Sequence, residues 1–318
     1  MQFKVVARML GFFSRSERIG SRFDIVPPAP SPGRSGVAVV AIVRDEAVTV
    51  ADWISFHRRA GVRRFILYDN GSTDGTAKAA LNAGQGDVTV VPWRLSARLV
   101  QPRATLHQQE LAYAHAICNF GNNFRWMALI DVDEYLFPTS AATLEAVLEP
   151  LNNFTNVSLP WSMFGVRSGA ARLAEPLWAC TLRARVPRGI LLNFKCIVDP
   201  CDVVRVSVHK FWTATMGPDS VNAAGVRAHY KRRGTPAFLA SEAIRLNHYC
   251  PVTEEDLSSK LKKVAVSGMP ITGRSKLLRE RAAAIVMDTV EDRAAIEFHL
   301  RSESSSVASQ KRKGTSGA

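Results

Sequence analysis

Two aspartates one residue apart, Asp131 and Asp133, are the residues best suited to chemistry in this 318-residue sequence. In an extended segment, side chains at positions i and i+2 point to the same side, so the two carboxylates would lie together. Adjacent carboxylates repel each other unless a cation lies beside them, and Mg²⁺ and Mn²⁺ prefer such oxygen ligands. The pair directly follows the apolar run 127–130, typical of a buried strand. We therefore predict a divalent metal site; the alternative is a solvated acidic turn.

Two further polar clusters also follow apolar runs. The polar side chains of either cluster could contact a bound nucleotide. They could instead stabilise the local backbone, because Asp, Asn and Ser at strand ends also form helix caps and Asx turns. Asp69 is better suited to accept from a nucleobase N–H or a ribose hydroxyl, whereas Ser72 is better suited to cap the next helix. The candidate nucleotide-binding residues are Arg44 and Glu46 in the first cluster and Asp69, Asn70, Ser72 and Asp74 in the second.

The elements that must position these residues alternate between strand and helix. Such alternation predicts βαβ units and a largely parallel sheet, with all carboxyl ends on the edge where α/β sheets bind ligands. All three polar clusters follow strands, so topology should bring them together. The predicted strands are 36–43, 64–68, 88–91 and 126–130, and the predicted helices are 48–60, 77–81 and 102–120.

The second half of the sequence is less regular. We predict a strand and then a turn within 157–165, strands at 190–198, 203–211 and 244–249, and helices at 254–266, 276–287 and 291–300. The predicted organisation is a basic segment with a Pro-rich linker over residues 1–35, one α/β domain over 36–300 and a disordered tail over 301–318. His248 lies among apolar residues, where a histidine is more often part of the core than a ligand.

The charge and the cysteine content of the sequence indicate which partners and which compartment to expect. The net charge of +13 favours an anionic partner, but the basic runs are dispersed and carry no nucleic-acid-binding motif, so we expect no nucleic acid. Five cysteines without a CxxC pair favour a reduced compartment, and the predicted location is the cytoplasm. Residues 1–13 mix apolar and basic side chains, which suits peripheral contact with the inner face of an anionic membrane; a frayed terminus is the alternative.

Several segments together resemble glycosyltransferase family 92 and the related family-2-like bacterial glycosyltransferases. The resemblance extends from about residue 37 to about residue 268, in matching order. The segments are Val39–Glu46 with Trp53–His57, Tyr68–Thr76, Trp126–Leu136, Leu159–Gly165, Lys195–His209 and Asn247–Tyr249 with Glu254, Glu255 and Lys260.

The resemblance implies a GT-A-type fold, a nucleotide-diphosphate sugar donor, here expected to be a UDP-sugar, and a divalent metal, usually Mn²⁺. It also implies that His248 completes the metal site and that Lys260 contacts the donor pyrophosphate. We expect Asp133 to be the main metal ligand and Asp131 a ribose or secondary metal contact. The sequence departs from the family pattern at Asp52-Trp53 and at Glu255-Asp256-Leu257.

The expected reaction is an inverting sugar transfer to a glycan or lipid-linked acceptor. Trp161 and Phe164 are candidates for an apolar platform under a sugar ring, or are simply core aromatics. The alternatives are a non-catalytic nucleotide- or glycan-binding module and a sugar nucleotidyltransferase. Nucleotidyltransferases usually carry a Gly-rich phosphate loop after the first strand, and 44–46 contains no glycine.

Overall fold

The structure is a computed structural model that describes residues 18–20, 23–95, 98–99, 104–165, 176–240, 242–250, 258 and 271–301. The strands are β1 (Arg18–Gly20), β2 (Phe23–Asp24), β3 (Val37–Val43), β4 (Val62–Asp69), β5 (Val88–Pro92), β6 (Arg98–Leu99), β7 (Ala104–Leu106), β8 (Trp126–Leu129), β9 (Glu134–Pro138), β10 (Asn156–Gly165), β11 (Leu182–Ala184), β12 (Phe194–Val198), β13 (Val203–Val206), β14 (Trp212–Thr213), β15 (Asp219–Val221), β16 (Arg227–His229), β17 (Ile244–Tyr249) and β18 (Thr289–Glu291). The α-helices are α1 (Val50–Arg59), α2 (Thr76–Ala83), α3 (Gln108–Phe120), α4 (Leu144–Leu148), α5 (Pro176–Ala179), α6 (Pro236–Leu239), α7 (Ile271–Met287) and α8 (294–301). Short 3₁₀ turns occur at Gly121–Asn123, Glu149–Leu151, Gly189–Leu191 and Tyr230–Arg232.

The N-terminal half builds a parallel sheet with the order β5-β4-β3-β8. Its central strand β3 is buried on both faces because helices cover both. Val39 and Ala41 join the cluster that contains α1, whereas Ala38 and Val40 join the cluster that contains α3. This two-sided burial explains why β3 is a continuous apolar run rather than an alternating one.

The C-terminal half extends the sheet beyond β8 with strands of mixed direction. β12 pairs antiparallel with β8 and with β10, while β15 and β17 pair parallel with β10. β17 also pairs antiparallel with β9. The predicted fold class, an α/β fold with a largely parallel central sheet, flanking helices and a less regular second half, is confirmed.

Several predicted boundaries are wrong in ways that packing explains. Segment 157–165 contains no turn, because β10 runs without a break from Asn156 to Gly165 and pairs along its length. Residues 189–191 form a 3₁₀ turn, and β12 begins only at Phe194. Helix α3 begins at Gln108, after the short strand β7, rather than at residue 102.

The Pro-rich segment before β3, predicted as a linker, is packed against the domain. The backbone N–H of Ile25 donates to the Val204 carbonyl, and β2 pairs with β13. Arg34 forms a two-pronged ion pair with Asp199, with N–O distances of 2.5 and 2.7 Å. Packing on the domain therefore begins before residue 36.

Some expectations concern parts of the chain outside the described residues. These are segment 1–17, the helix predicted at 254–266 apart from position 258, Lys260 and the tail from residue 302. Among the residues that the structure describes, no helix combines the length and apolar character needed to cross a membrane.

Candidate active site

The two aspartates lie in a tight turn that joins β8 to β9. The N–H of Glu134 donates to the Asp131 carbonyl at 3.0 Å, which closes the turn. The segment is therefore not extended as predicted, because the backbone reverses between the two aspartates. The turn still lies at the carboxyl end of β8, as predicted, and the side chains of Asp131 and Asp133 have different partners.

Asp131 is held from two sides. Its Oδ1 accepts a hydrogen bond from Gln109 Nε2 at 2.6 Å, and its Oδ2 lies 3.0 Å from Lys195 Nζ. Its backbone N–H donates to Glu134 Oε2 at 2.8 Å. Gln109 is in turn bonded to the Tyr113 hydroxyl at 2.8 Å. Three elements, α3, β9 and β12, thus fix the first aspartate.

Strand direction explains how Lys195 reaches this turn. β12 runs antiparallel to β8, with Cys196 opposite Leu129, so the beginning of β12 lies beside the end of β8. Lys195 is only 1% exposed, and it is the one charged residue in the apolar strand Phe194–Val198. A buried lysine requires a counter-charge. Asp131 supplies it, and Glu134 Oε2 lies 3.8 Å from the same ammonium.

Burial and charge shift the ionisation of this cluster. Burial raises the pKa of Glu134 well above its usual value, even with Lys195 nearby. Burial also opposes ionisation of Asp131, but the Lys195 ammonium outweighs it, and the pKa of Asp131 falls below its usual value. Burial acts to lower the pKa of Lys195, yet Asp131 and Glu134 hold that pKa well above its ordinary value. Asp131 is thus an anion paired with a cation, and Glu134 favours its neutral form.

Asp133 faces a different partner, His248. The Asp133 Oδ2 lies 3.4 Å from His248 Nε2, and the N–H of Tyr249 donates to the Asp133 carbonyl at 3.0 Å. The pairing of β17 with β9 sets His248 opposite Glu134, at the end of the aspartate turn. The Trp161 ring packs against the His248 ring, with 4.3 Å between centroids. The structure therefore places His248 beside Asp133, and the role of His248 as a metal ligand stays a prediction.

Two side chains at this site carry atoms that could bind a metal ion. Asp133 and His248 offer a carboxylate oxygen and an imidazole nitrogen, which suit Mn²⁺. Within the described parts of the chain, no group of three or more His, Cys, Asp or Glu side chains is arranged to hold a metal ion. A metal here would need further ligands from water or from the oxygens of a bound ligand.

His209 is a second histidine near the site. Its Nδ1–H donates to the Phe194 carbonyl at 2.9 Å, and its ring meets Trp161 edge-on at 5.5 Å. Burial, reinforced by the Lys195 ammonium, lowers the pKa of His209 to about 3. The imidazole is therefore neutral, with its proton on Nδ1, and Nε2 is an acceptor or a ligand rather than an acid.

The predicted nucleotide-binding clusters lie side by side at the same edge, but they bind largely to each other. Arg44 donates to the Asn70 carbonyl at 2.8 Å, and the N–H of Ser72 donates to Asp69 Oδ1 at 2.9 Å. Asp45 receives the N–H of Thr73 at 2.7 Å and donates its own N–H to Ser72 Oγ at 3.0 Å. These bonds hold Asp45 at φ +50°, a left-handed conformation that is uncommon for aspartate.

Asp74 and Ser72 have structural roles in these loops. Asp74 accepts from the N–H groups of Ala47 and Thr76, each at 3.0 Å, so it fastens the first loop to the start of α2. Ser72 does not cap that helix, whose N-cap is Gly75 without a side-chain bond. Glu46 donates its N–H to Thr76 Oγ1 at 2.7 Å. Nucleotide contact stays a prediction for all six candidates: Arg44, Glu46, Asp69, Asn70, Ser72 and Asp74.

The two aromatic candidates are buried on opposite faces of β10, so they do not form a shared platform. Phe164 is 1% exposed and packs on Tyr249 with 5.1 Å between ring centroids. Trp161 is 4% exposed and lies under His248. Positions i and i+3 of a strand point to opposite sides, and this strand continues where a turn was expected. The burial of both rings favours the alternative, that Trp161 and Phe164 are core aromatics.

Sequence reasoning missed Lys195, Gln109 and His209 as site residues. Lys195 offered a signal, because a lone lysine inside a short apolar strand requires a buried counter-charge. Gln109 offered none, and His209 was marked only as the end of the segment Lys195–His209 in the family resemblance. The proximity of both residues to the aspartates arises from strand order and from the packing of α3.

A sequence profile and curated relatives of this chain belong to the same family. The sequence profile described as "Glycosyltransferase family 92" matches residues 37–239. A glycosyltransferase family 92 protein of Oryza sativa subsp. japonica is 24% identical over 222 residues, which cover 67% of this chain and 33% of that protein. A glycosyltransferase family 92 protein of Ricinus communis is 25% identical over 245 residues, which cover 70% of this chain and 40% of that protein. The chain thus spans about a third of the length of these curated relatives.

Solved structures resemble the chain more distantly. A crystal structure of a mycobacterial protein has a TM-score of 0.34 and 18% identity, covering 75% of this chain and 76% of that one. Glucosyl-3-phosphoglycerate synthase from Mycobacterium tuberculosis, in complex with Mn²⁺, UDP and glucosyl-3-phosphoglycerate, has a TM-score of 0.32 and 18% identity, covering 75% and 81%. These scores are too low to carry over a ligand or a site residue.

Proposed function

The chain belongs to glycosyltransferase family 92, and on that premise we propose that it is a metal-dependent glycosyltransferase that uses a nucleotide-diphosphate sugar. We propose a UDP-sugar as donor, Mn²⁺ or Mg²⁺ as the metal, a GT-A-type mode of donor binding, and transfer with inversion to a glycan or lipid-linked acceptor. The second candidate from the sequence, a non-catalytic binding module, becomes one outcome of the test below.

One observation carries this proposal. An acidic turn at the carboxyl end of a parallel strand presents Asp133 to His248 at 3.4 Å, at the sheet edge where α/β folds bind their ligands. The same edge holds the interlocked loops 44–46 and 69–76. A donor whose nucleoside lies against these loops would extend its diphosphate toward Asp133.

Asp133 and His248 would hold the metal, and Asp131 would accept a hydrogen bond from the donor. When bound, the metal supplies positive charge against the negative charge that develops on the departing diphosphate. The chain itself fixes the geometry: Tyr249 anchors the Asp133 backbone, and Trp161 orients the His248 ring. Preorganised groups of this kind lower the cost of reorganisation during the reaction.

The test is a thermal melt of the full chain with Mn²⁺ and a panel of UDP- and GDP-sugars. We expect a rise in Tm that requires both Mn²⁺ and one nucleotide, because ligands that bind only the folded state stabilise it. Asp133→Ala should abolish the rise. Asp288→Ala, which removes an exposed carboxylate paired with Arg185, is the matched control and should leave it unchanged.

The same panel is then tested for turnover. Release of UDP from one donor, with an acceptor-linked sugar as product, is the expected result, and NMR of the anomeric proton reports inversion. Binding without turnover across acceptors would favour the binding module instead. The absence of any Mn²⁺- and nucleotide-dependent rise in wild type would contradict the proposal.

We also propose that the chain works in the cytoplasm, at the inner face of a membrane that presents the acceptor. The support is the sequence of residues 1–22, which holds five basic side chains and one acidic side chain among apolar residues. Such a segment binds anionic lipid through both charge and apolar contact.

A further inference from the structure

His209 lies in the loop between β13 and β14 and is fixed from two sides. Its Nδ1–H donates to the Phe194 carbonyl at 2.9 Å. Its own carbonyl accepts two N–H bonds from the Arg233 guanidinium, at 3.1 and 3.0 Å. Arg233 is only 5% exposed and also donates to Ser158 Oγ at 2.8 Å. The backbone and the ring of His209 are therefore held in one orientation by buried groups.

The second ring nitrogen of His209 is left as a hydrogen-bond acceptor. Because a carbonyl only accepts, the proton of the neutral ring is on Nδ1, and Nε2 carries a lone pair. Desolvation and the Lys195 ammonium lower the pKa of His209 to about 3, so the ring gains no second proton near neutral pH. The residue is partly exposed, and no group in the described part of the chain donates to Nε2.

Trp161 connects His209 to the candidate metal site. Its ring centroid lies 4.3 Å from that of His248 and 5.5 Å from that of His209. The two histidines are thus separated by one aromatic side chain, a spacing that a pyranose ring can span. A diphosphate held beside His248 would therefore bring the sugar attached to it near His209.

Trp161 also carries a donor without an acceptor. Its Nε1 is buried, and no group within the described residues accepts its N–H. An unpaired buried donor costs about 1–3 kcal/mol, which an oxygen of a bound ligand would recover. A phosphate oxygen can accept from Trp161 but cannot donate to His209 Nε2, whereas a hydroxyl both donates and accepts. The two side chains together therefore match a ligand that carries hydroxyls rather than a diphosphate.

We propose that His209 accepts a hydrogen bond from a hydroxyl of the transferred sugar and thereby contributes to the choice of donor sugar. This inference rests on the proposed function, because it names a contact within the same donor site. A sugar in which that hydroxyl is missing or differently placed leaves Nε2 unpaired and binds less well.

The experiment compares UDP with the UDP-sugar that gives the largest rise in Tm, each titrated on the full chain at saturating Mn²⁺. His209→Asn keeps an amide N–H near the position of Nδ1, for the Phe194 carbonyl, but has no acceptor at the position of Nε2. The half-saturating concentration should stay within about twofold of wild type for UDP and rise at least about fivefold for the UDP-sugar. A residue with only a structural role would weaken the binding of both ligands by the same factor.

Two further variants serve as controls. His209→Gln places an amide oxygen near the position of Nε2, so it should bind the UDP-sugar more tightly than His209→Asn does. His299→Asn changes a partly exposed histidine of α8 that packs on Phe56 and Trp178, and it should match wild type for both ligands. If His209→Asn does not fold, His209→Phe, which keeps a ring against Trp161, takes its place.

Deoxy donors test the same contact from the side of the ligand. UDP-sugars that each lack one hydroxyl are titrated on wild type, and one of them should bind at least about fivefold more weakly than the parent. That analogue should lose little further affinity in His209→Asn, because the two changes remove the same hydrogen bond.

Three results would overturn the inference: equal weakening of UDP and the UDP-sugar in His209→Asn, unchanged binding of the UDP-sugar in that variant, or parental affinity for every deoxy donor on wild type. Failure of the proposed function looks different, because wild type itself would then show no rise in Tm with Mn²⁺ and UDP.

Discussion

Two buried histidines and one partly buried histidine show how residues of one type serve different purposes. His57 accepts the Leu136 N–H on Nε2 at 3.0 Å, so its Nδ1 carries the proton that it donates to the Trp53 carbonyl at 2.8 Å. His209 is fixed in the same tautomer by Phe194. His248 instead faces a carboxylate. The first two are neutral imidazoles whose tautomer is fixed by the backbone, whereas the third lies beside a carboxylate.

We expect His57 to make the fold sensitive to mild acid. Burial lowers the pKa of His57 to about 4 from an ordinary 6.5. The unfolded chain therefore takes up a proton below pH 6.5 that the folded chain does not accept until about pH 4. The contribution of neutral His57 to the free energy of unfolding is fully present above pH 6.5 and is lost as the pH falls toward 4. The pKa difference corresponds to a loss of about 3 kcal/mol. Urea unfolding at several pH values between 7 and 4.5, about the range of this titration, measures the loss.

A His57→Gln variant separates this contribution from those of other groups. It should be less stable than wild type at neutral pH, because a fitted pair of hydrogen bonds is disturbed. Its stability should depend less steeply on pH between 6.5 and 4, the interval set by His57. Equal slopes for the two proteins in that interval would show that His57 does not account for the acid sensitivity.

At the scale of elements, strand direction assembles the site. Antiparallel β12 brings the start of its strand to the end of β8, and β17 pairs with both β9 and β10. Lys195 and His248 therefore reach the aspartate turn from elements more than 60 residues away in sequence. Parallel strands supply the aspartates and the loops, and the mixed-direction strands supply the cation and the imidazole.

The Pro-rich segment 24–36, called the Pro-rich strap here, is held against the domain by the Arg34–Asp199 ion pair. The two side chains are 18% and 8% exposed, and Asp199 also binds Arg125 at 2.9 Å. We expect Arg34→Met to lower the free energy of unfolding by about 1–3 kcal/mol, because it removes charged hydrogen bonds from a largely buried carboxylate. Urea denaturation at neutral pH measures this effect.

Arg63→Met provides the matched control on an exposed ion pair. Arg63 and Glu145 are 57% and 41% exposed, so this pair should contribute no more than about 0.5 kcal/mol. Similar losses for the two variants would mean that the Pro-rich strap contributes no more than a surface contact does.

At the scale of the whole molecule, charge decides which surfaces the chain can approach. With a net charge of +13, we expect the full chain to sediment with vesicles of phosphatidylcholine and phosphatidylserine but not with phosphatidylcholine alone. Raising NaCl from about 0.15 to about 0.5 M should release it, because salt screens such attraction. Removal of residues 1–22 should weaken the binding.

Two results would count against membrane contact by the basic N-terminal segment. One is sedimentation with phosphatidylcholine vesicles, and the other is equal vesicle binding after residues 1–22 are removed. Deletion should leave the Mn²⁺- and UDP-dependent rise in Tm unchanged, because the residues of the proposed donor site lie between positions 44 and 248. This second measurement separates membrane contact from donor binding.

The sequence by itself determined those strands and helices that follow from the hydrophobic pattern of their own residues. The apolar runs that became β3, β4 and β8 identified a parallel sheet, since strands buried on both faces carry few polar residues. The apolar run that became β5 is only partly buried, at the edge of that sheet. Because polar residues at strand ends share one edge, the sequence also indicated where Asp131, Asp133 and the two loops would meet. The pairing of His248 with Asp133 came from a family resemblance, since nothing local distinguishes it from a core histidine.

Only the tertiary structure decided how these residues divide their tasks. The Lys195–Asp131 pair depends on β12 running antiparallel beside β8, and strand order across the sheet is a non-local property. The burial of Phe164 depends on β10 continuing where local signals suggested a turn, because four neighbouring strands pair with it. Local sequence specifies which segments become strands, whereas burial and counter-charge are set by whichever distant segments pack against them.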